Sequence, residues 1–322
     1  MHYRKLGSTG LRVSEIGFGA WGIGGATPQA TSYGQTDDRV SLKALEVALD
    51  SGINFYDTSN VYGLGHSERL IGQAFRKCRE RIIIATKAGF TDYESPADFS
   101  ASAIRKSVEG SLKRLDTDYV DLLQLHNPDV NSALKDSKLL NTLEKLLEEG
   151  KINNVGVSIK SPSDIFELIS CPLVAVIQAN FNMLDIRVLE SGLPTTLERS
   201  KVGFIARTPM SFGFLSGELT GDENFPPDDH RSRWPRSQLK LWASGARQLL
   251  GACEAEELLS PSEKALSFCL AHSWVSTVIP GMLSAAEVIA NAGVSELTKM
   301  SQSSIDNICE LHASNTFMAT GK

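Results

Sequence analysis

The sequence is poor in the features that mark several common classes of protein. It holds only five cysteines, Cys78, Cys171, Cys253, Cys269 and Cys309. They are odd in number, scattered, and include no CxxC pair, which speaks against a disulfide framework or a zinc site and for buried free thiols. No stretch reaches the ~20 apolar residues of a membrane span. The opening MHYRKLGSTG has no apolar signal-peptide core, so a cytoplasmic protein with no membrane partner is expected. An excess of basic charge is missing too. Lys and Arg number 32 against 38 Asp and Glu, a formal net charge of -6, where a nucleic-acid binder would show a basic face. No domain linker or low-complexity tract interrupts the chain.

The 42% of hydrophobic and 22% of charged residues match an ordinary globular protein with ample material for a core. A length of 322 residues suits one large α/β barrel or two ordinary domains. Patterning narrows the choice. After a short hairpin around Gly7-Ser8-Thr9-Gly10, eight apolar runs recur: IGFG at 16, INFYDT at 53, RIIIATK at 81, YVDLLQLH at 119, INNVGVS at 152, LVAVIQANF at 173, VGFIART at 202 and STVIPG at 276. Most read as strands buried on both faces.

Between them lie segments of helical period, as with Ile104, Val108, Leu112 and Leu115. Others run from Asp38 to Ser51, Glu68 to Arg76, Leu139 to Glu149, Ser163 to Ile169, Leu184 to Arg199 and Ala285 to Asn291. Strands alternating with helices demand parallel pairing, and eight such units can close a (β/α)8 barrel; an open doubly wound sheet is the competitor. Residues 211 to 235 break the rhythm with a Gly-, Pro- and Asp-rich stretch that has no period, and a further helix is expected after Lys299.

Gly17 to Gly22 spells GxGxxG, with Asp37 further on. The match is rejected as a dinucleotide fingerprint, because no helical pattern follows its last glycine.

Asp57, Lys87 and His126 close the second, third and fourth apolar runs, and Tyr62 follows Asp57 in the next loop. If the strands form a barrel, these four converge at the mouth where barrel active sites are built. Singly, each has a bland reading: a helix cap, a surface aromatic, a solvated charge, a satisfied polar group. Together they make a proton donor. An ammonium beside a tyrosine brings the phenol proton within reach, a carboxylate holds the ammonium, and an imidazole can hydrogen-bond a carbonyl oxygen. Protonating an oxyanion completes a reduction only if hydride arrives from elsewhere, which calls for a nicotinamide.

These residues lie in segments that resemble the aldo-keto reductase family: YRKLGSTGLRVSEIGFGAWGIGG, NFYDTSNVYGLGHSERLIGQAF, IIIATKAGF, SLKRLDTDYVDLLQLHNPD, KINNVGVSIKSP and VIPGMLSAAEVIANAG, in order along nearly the whole chain. The resemblance implies one (β/α)8 TIM barrel domain over residues 1–322, preceded by a β-hairpin and followed by an extra C-terminal helix. It implies an NAD(P)H-dependent enzyme that reduces a small aldehyde or ketone to an alcohol, or the reverse. The family's catalytic Asp, Tyr, Lys and His fall on Asp57, Tyr62, Lys87 and His126. The nicotinamide carboxamide is then held by Ser158 and Gln178, and Trp21 walls the pocket. Where many members carry an aromatic that stacks on the nicotinamide, this chain has Arg207, followed by Thr208, Pro209 and Met210. A guanidinium plane can also stack. Ser211, Gly213 and Leu215 then pass beneath the pyrophosphate, and Gly281, Leu283, Glu287 and Asn291 meet the adenine end. Leu283 stands where an arginine or serine often meets the 2′-phosphate, so the family's habit favours NADPH while no named residue disfavours NADH.

Two other readings compete. A cofactor-binding regulatory or scaffold protein of the same fold, such as the beta subunits of potassium channels, also fits the constellation, but the chain shows no long N-terminal extension. A phosphate-binding barrel lyase or isomerase leaves the matched segments unexplained. Specificity is expected from the loops around Trp21 to Tyr33, Phe90 to Phe99 and Phe212 to Pro235, whose aromatics suit a ring-shaped or apolar substrate and whose His230, Arg231 and Arg233 suit an anionic group or a solvated loop equally. A monomer is the weak expectation.

Overall fold

The computed structural model describes residues 1–189 and 192–317. All eight apolar runs form strands: β3 (Phe18–Gly19), β4 (Phe55–Asp57), β5 (Ile83–Ala88), β6 (Leu122–His126), β7 (Val155–Ser158), β8 (Val174–Asn180), β9 (Gly203–Arg207) and β10 (Thr277–Ile279). They pair in parallel in sequence order. Parallel bridges Ile16–Val278 and Gly19–Gly281 join the first strand to the last, so the sheet closes into a (β/α)8 barrel. The antiparallel hairpin β1 (Tyr3–Lys5) and β2 (Arg12–Ser14) precedes it.

A strand shows alternate residues to opposite faces, and here that period separates two cores. Phe55, Ile83, Leu122, Val176, Ile205 and Ile279 cluster with Leu6 and Val13 of the hairpin, which plugs the barrel floor. Their neighbours Tyr56, Ile84, Leu123, Ile177 and Phe204 join the larger core between strands and helices. Two residues further along the inward face, the apolar floor gives way to Asp57, Gln124, Gln178 and Arg207 at the mouth.

Helices α1 (Asp38–Asp50), α2 (His66–Phe75), α3 (Ala101–Leu115), α5 (Ser137–Glu148) and α10 (Ala285–Gly293) follow the expected periodic segments, with a short α4 (Val130–Lys135) before α5. The Ser163 to Ile169 segment begins as a 3-10 turn and ends as α6 (Ile165–Ile169). The helix expected from Leu184 to Arg199 is shorter. Only α7 (Leu193–Arg199) forms, because Gly192 takes a positive φ of 74° and a proline opens the first turn. Upstream, the Asn182 side chain accepts from the Leu184 and Asp185 amides and fixes a turn instead; Glu190 and Ser191 of that segment, like residues 318–322 of the expected domain, lie outside the described residues. Helices α8 (Arg236–Gly251) and α9 (Pro261–Leu270) were not anticipated, while α11 (Gln302–Ser314) is the expected terminal helix. No helix among the described residues is long and apolar enough to cross a membrane.

Three imidazoles, His126 buried and His230 and His272 partly buried, are neutral groups. Burial pushes His230 and His272 each down to about 4, and burial, then the Lys87 and Arg207 charges, holds His126 well below its usual value. An unfolded chain protonates these histidines near pH 6.5 while the native chain does not, so stability is full above that pH and falls as pH drops through it. From pH 7 to pH 5 the loss should be about 1–2 kcal/mol for each of His230 and His272, with His126 acting in the same direction. Thermal melts across that range should show Tm falling with pH; a flat or rising Tm would contradict the neutral, buried assignment.

Candidate active site

Asp57, Lys87 and His126 stand at the C-terminal ends of β4, β5 and β6, and the loop after Asp57 returns Tyr62 over the same mouth. That loop is tightly specified. Gly63 has φ +58° and so little room that a Cβ would lie 2.0 Å from the Gly24 carbonyl oxygen. A side chain there would displace Tyr62.

The ammonium of Lys87 is fully buried and spends all three donors: on Asp57 Oδ1, on the Thr58 carbonyl at 2.9 Å and on the Tyr62 hydroxyl oxygen at 3.1 Å. The other oxygen of Asp57 accepts from the amides of Gln124 (2.9 Å) and Gln178 (2.7 Å). Ser158 donates to the Gln178 carbonyl at 3.3 Å. A continuous polar chain therefore runs from Ser158 to Tyr62 across five strands of the mouth. Because Tyr62 accepts from Lys87, its own proton is directed elsewhere.

Burial, then the Asp57 charge, pushes the Tyr62 phenol up, and Arg207 pulls it partly back. The direction differs from the expectation that the lysine brings the proton down; withdrawal from water, with the Asp57 charge, outweighs Arg207. Burial also lowers Lys87, against the opposing pull of Asp57. The imidazole of His126 is neutral, with Nδ1 3.3 Å from Ser59 Oγ. Its tautomer depends on whether Ser59 spends its single proton on His126 or on Asn60.

Over this layer opens a cavity of about 450 Å³, walled by Asp57, Tyr62 and His126 together with Trp21, Tyr33, Tyr93, Asn127, Gln178, Arg207, Thr208, Phe212, His230, Arg233, Trp234 and Gly281 among others. Of the residues expected to hold a dinucleotide, Trp21, Asp57, Gln178, Arg207, Thr208 and Gly281 reach it. Ser158 does not line it and donates to Gln178, which does. Pro209, Met210, Ser211, Gly213 and Leu215 do not line it. The Ser211 amide donates to Thr208, and those of Gly213 and Leu215 to Met210, which leaves none of the three free for a ligand. Leu283, Glu287 and Asn291 lie outside the cavity at α10, where Glu287 caps the helix by accepting from the Leu283 amide at 2.6 Å.

The wall fits a nicotinamide in one further respect. Arg207 lines the cavity with a planar guanidinium, and its Nε is a buried donor with no hydrogen-bond partner. The loop cations behave differently. Arg231 pairs with Asp229 at 2.7 Å and Arg233 donates to the Gln29 carbonyl, so the cluster, which suited an anionic group or a solvated loop equally in the sequence, is largely spent on the protein itself. His230 sits in an aromatic cage, its ring centroid 4.6 Å from that of Trp21 and 5.0 Å from those of Tyr33 and Trp234. Gln124 was missed in the sequence, although its place two residues before His126 puts it on the same inward face. Among the described residues no cluster could hold a metal ion.

Residues 15–313 match the Aldo/keto reductase family. Aldo-keto reductase YhdN of Bacillus subtilis (strain 168) is 33% identical over 257 residues, which is 77% of this chain and 75% of that protein. L-galactose dehydrogenase of Arabidopsis thaliana is 32% identical over 309 residues, 92% of this chain and 89% of that one. Among solved structures, the holo form of aldo-keto reductase AKR11C1 from Bacillus halodurans superposes with a TM-score of 0.77 at 29% identity, covering 97% of this chain and 96% of the other. Fold, sequence and relatives agree, and this chain belongs to the aldo/keto reductase family of NAD(P)H-dependent oxidoreductases.

Proposed function

We propose that the protein interconverts a small aldehyde or ketone and its alcohol, with Tyr62 as the proton donor in the reducing direction and NADPH as the hydride source. The observation that carries this reading is the complete use of the Lys87 ammonium on Asp57, Thr58 and Tyr62, which leaves the phenol proton as the one free to enter the cavity. The bound dinucleotide would supply hydride; every other task falls to the chain. Gln178 and Ser158 would orient the carboxamide, and the Arg207 plane would lie against the ring. His126 would meet the substrate carbonyl, and Tyr62 would protonate the oxygen as charge develops on it. The aromatic wall of Trp21, Tyr33, Phe212 and Trp234 excludes water and suits the face of a sugar-derived or aromatic carbonyl compound. A relative that bears the name L-galactose dehydrogenase supports the sugar-derived class.

A fluorescence titration with NADPH and NADH, followed by a panel of aldehydes, ketones and aldoses, tests the reading. Tight binding and oxidation of the dinucleotide on adding a carbonyl compound are expected; binding without turnover of any panel member would favour a regulatory protein of this fold. The cofactor choice has its own test. Because Leu283 offers no cation beside α10, Leu283→Arg should raise the NADPH-to-NADH affinity ratio by about tenfold through a new phosphate contact. An unchanged ratio would remove this segment from the 2′-phosphate site.

A further inference from the structure

Arg207 carries the least compensated charge of the site. Its guanidinium ends β9 and lines the cavity beside Asp57, Tyr62 and Gln178. One nitrogen donates to the Ile159 carbonyl at 3.0 Å, while Nε is buried with no partner. Among the described residues no carboxylate lies in ion-pair contact with it. Asp57 is already neutralised by Lys87 and two amides. The Arg207 charge is nevertheless felt across the site, lowering the pKa of Tyr62, Lys87 and His126. The mouth therefore holds a positive charge that is partly withdrawn from water and has no ion-pair partner.

Such a charge is not neutral towards the two redox forms of a nicotinamide. The oxidised ring is a cation and the reduced ring is uncharged. On the reading proposed above, that ring lies between Gln178 and Arg207, and this inference rests on it. We infer that Arg207 sets a redox preference: the site holds the reduced dinucleotide more tightly than the oxidised one and, once both substrates are bound, favours oxidation of the alcohol. In that direction the carbinol carbon gives up hydride with its electron pair to the oxidised ring, and the hydroxyl proton passes to the Tyr62 oxygen once the phenol has released its own proton to solvent. The step removes a positive charge from beside Arg207. The equilibrium in free solution is unaffected; only the enzyme-bound one moves.

The test is a set of binding titrations on the wild type, Arg207→Gln and Arg207→Lys, with NADPH, NADP+ and 2′-phospho-ADP-ribose, which lacks the nicotinamide ring. If the unphosphorylated pair binds the wild type better, NADH, NAD+ and ADP-ribose replace them. The Kd ratio of oxidised to reduced form should fall about tenfold or more in Arg207→Gln, the scale expected for two like charges a few ångströms apart at a partly solvated site. Arg207→Lys should keep most of the ratio, and the ring-less ligand should bind wild type and Arg207→Gln alike. Removing a half-buried cation that has no ion-pair partner should also leave the Tm of Arg207→Gln unchanged or raised. An unchanged ratio in Arg207→Gln overturns the inference. So does an equal loss of the ring-less ligand, which would assign Arg207 to the phosphates. Failure of all three ligands to bind the wild type would instead overturn the cofactor reading, and this inference with it.

Discussion

Tyr62→Phe should lower turnover by about two to four orders of magnitude and leave the affinity for dinucleotide within about twofold, because a general acid acts in the transition state. The variant keeps the ring, its edge-to-face contact with His126 at 6.2 Å between centroids, and the turn that Gly63 enforces. It removes only the oxygen that accepts from Lys87 and the proton that enters the cavity. With the phenol held above its ordinary range and His126 neutral, the wild type should also reduce its substrate without an inflection from either group between about pH 7 and pH 9. Steady-state kinetics beside a dinucleotide titration would check both. Wild-type turnover in the Phe variant would take Tyr62 out of the chemistry.

The second large effect concerns stability as well as rate. Lys87 and Asp57 are each no more than about 3% exposed in their side chains, so neither charge can fall back on water. Lys87→Met strands the carboxylate with two amide donors and no counter-charge, which should cost about 3–5 kcal/mol of folding free energy. It should abolish most activity at the same time. Asp57→Asn leaves an uncompensated ammonium and should be destabilising on a similar scale. The double variant removes both charges and should be far less destabilised than the sum of the two single variants. Denaturant unfolding of the four proteins measures this directly. Additive losses would mean that the pair is not the coupled unit its geometry implies.

Much of this site was legible in the sequence because the barrel's period is simple. Asp57, Lys87 and His126 each terminate an apolar run, and a polar residue ending a doubly buried strand has few places to go but the mouth. Gln124 was lost for the reason the others were found. It lies between Leu123 and Leu125 inside an apolar run, and only stepping back two residues from His126 would have exposed it. Helix α8 carried a visible signal, since Leu239, Trp242, Ala243, Ala246, Leu249 and Leu250 fall at helical spacing and are all buried. The irregular stretch before it masked its start.

Helix α9 was harder. Its run ALSFCL is buried on every side, which erases the amphipathic period, and the better signal was the capping box formed by Ser260 and Glu263. The protonation state of Tyr62 could not be read from composition at all. It depends on how far burial and the Asp57 charge outweigh Arg207, and that balance is set by the folded barrel. The spent state of Arg231 and Arg233 was equally hidden, because a run of basic residues does not reveal that Asp229 and the Gln29 carbonyl will claim them.

The most direct measurement is isotopic. The purified protein is incubated with NADPH or NADH carrying deuterium in both positions at the nicotinamide C4 and with a carbonyl compound that it turns over, and the alcohol is examined by mass spectrometry. Hydride chemistry at this barrel mouth predicts an alcohol with deuterium on its carbinol carbon in the wild type, formed far more slowly by Tyr62→Phe. An alcohol without deuterium, or dinucleotide oxidation with no alcohol formed, would contradict it.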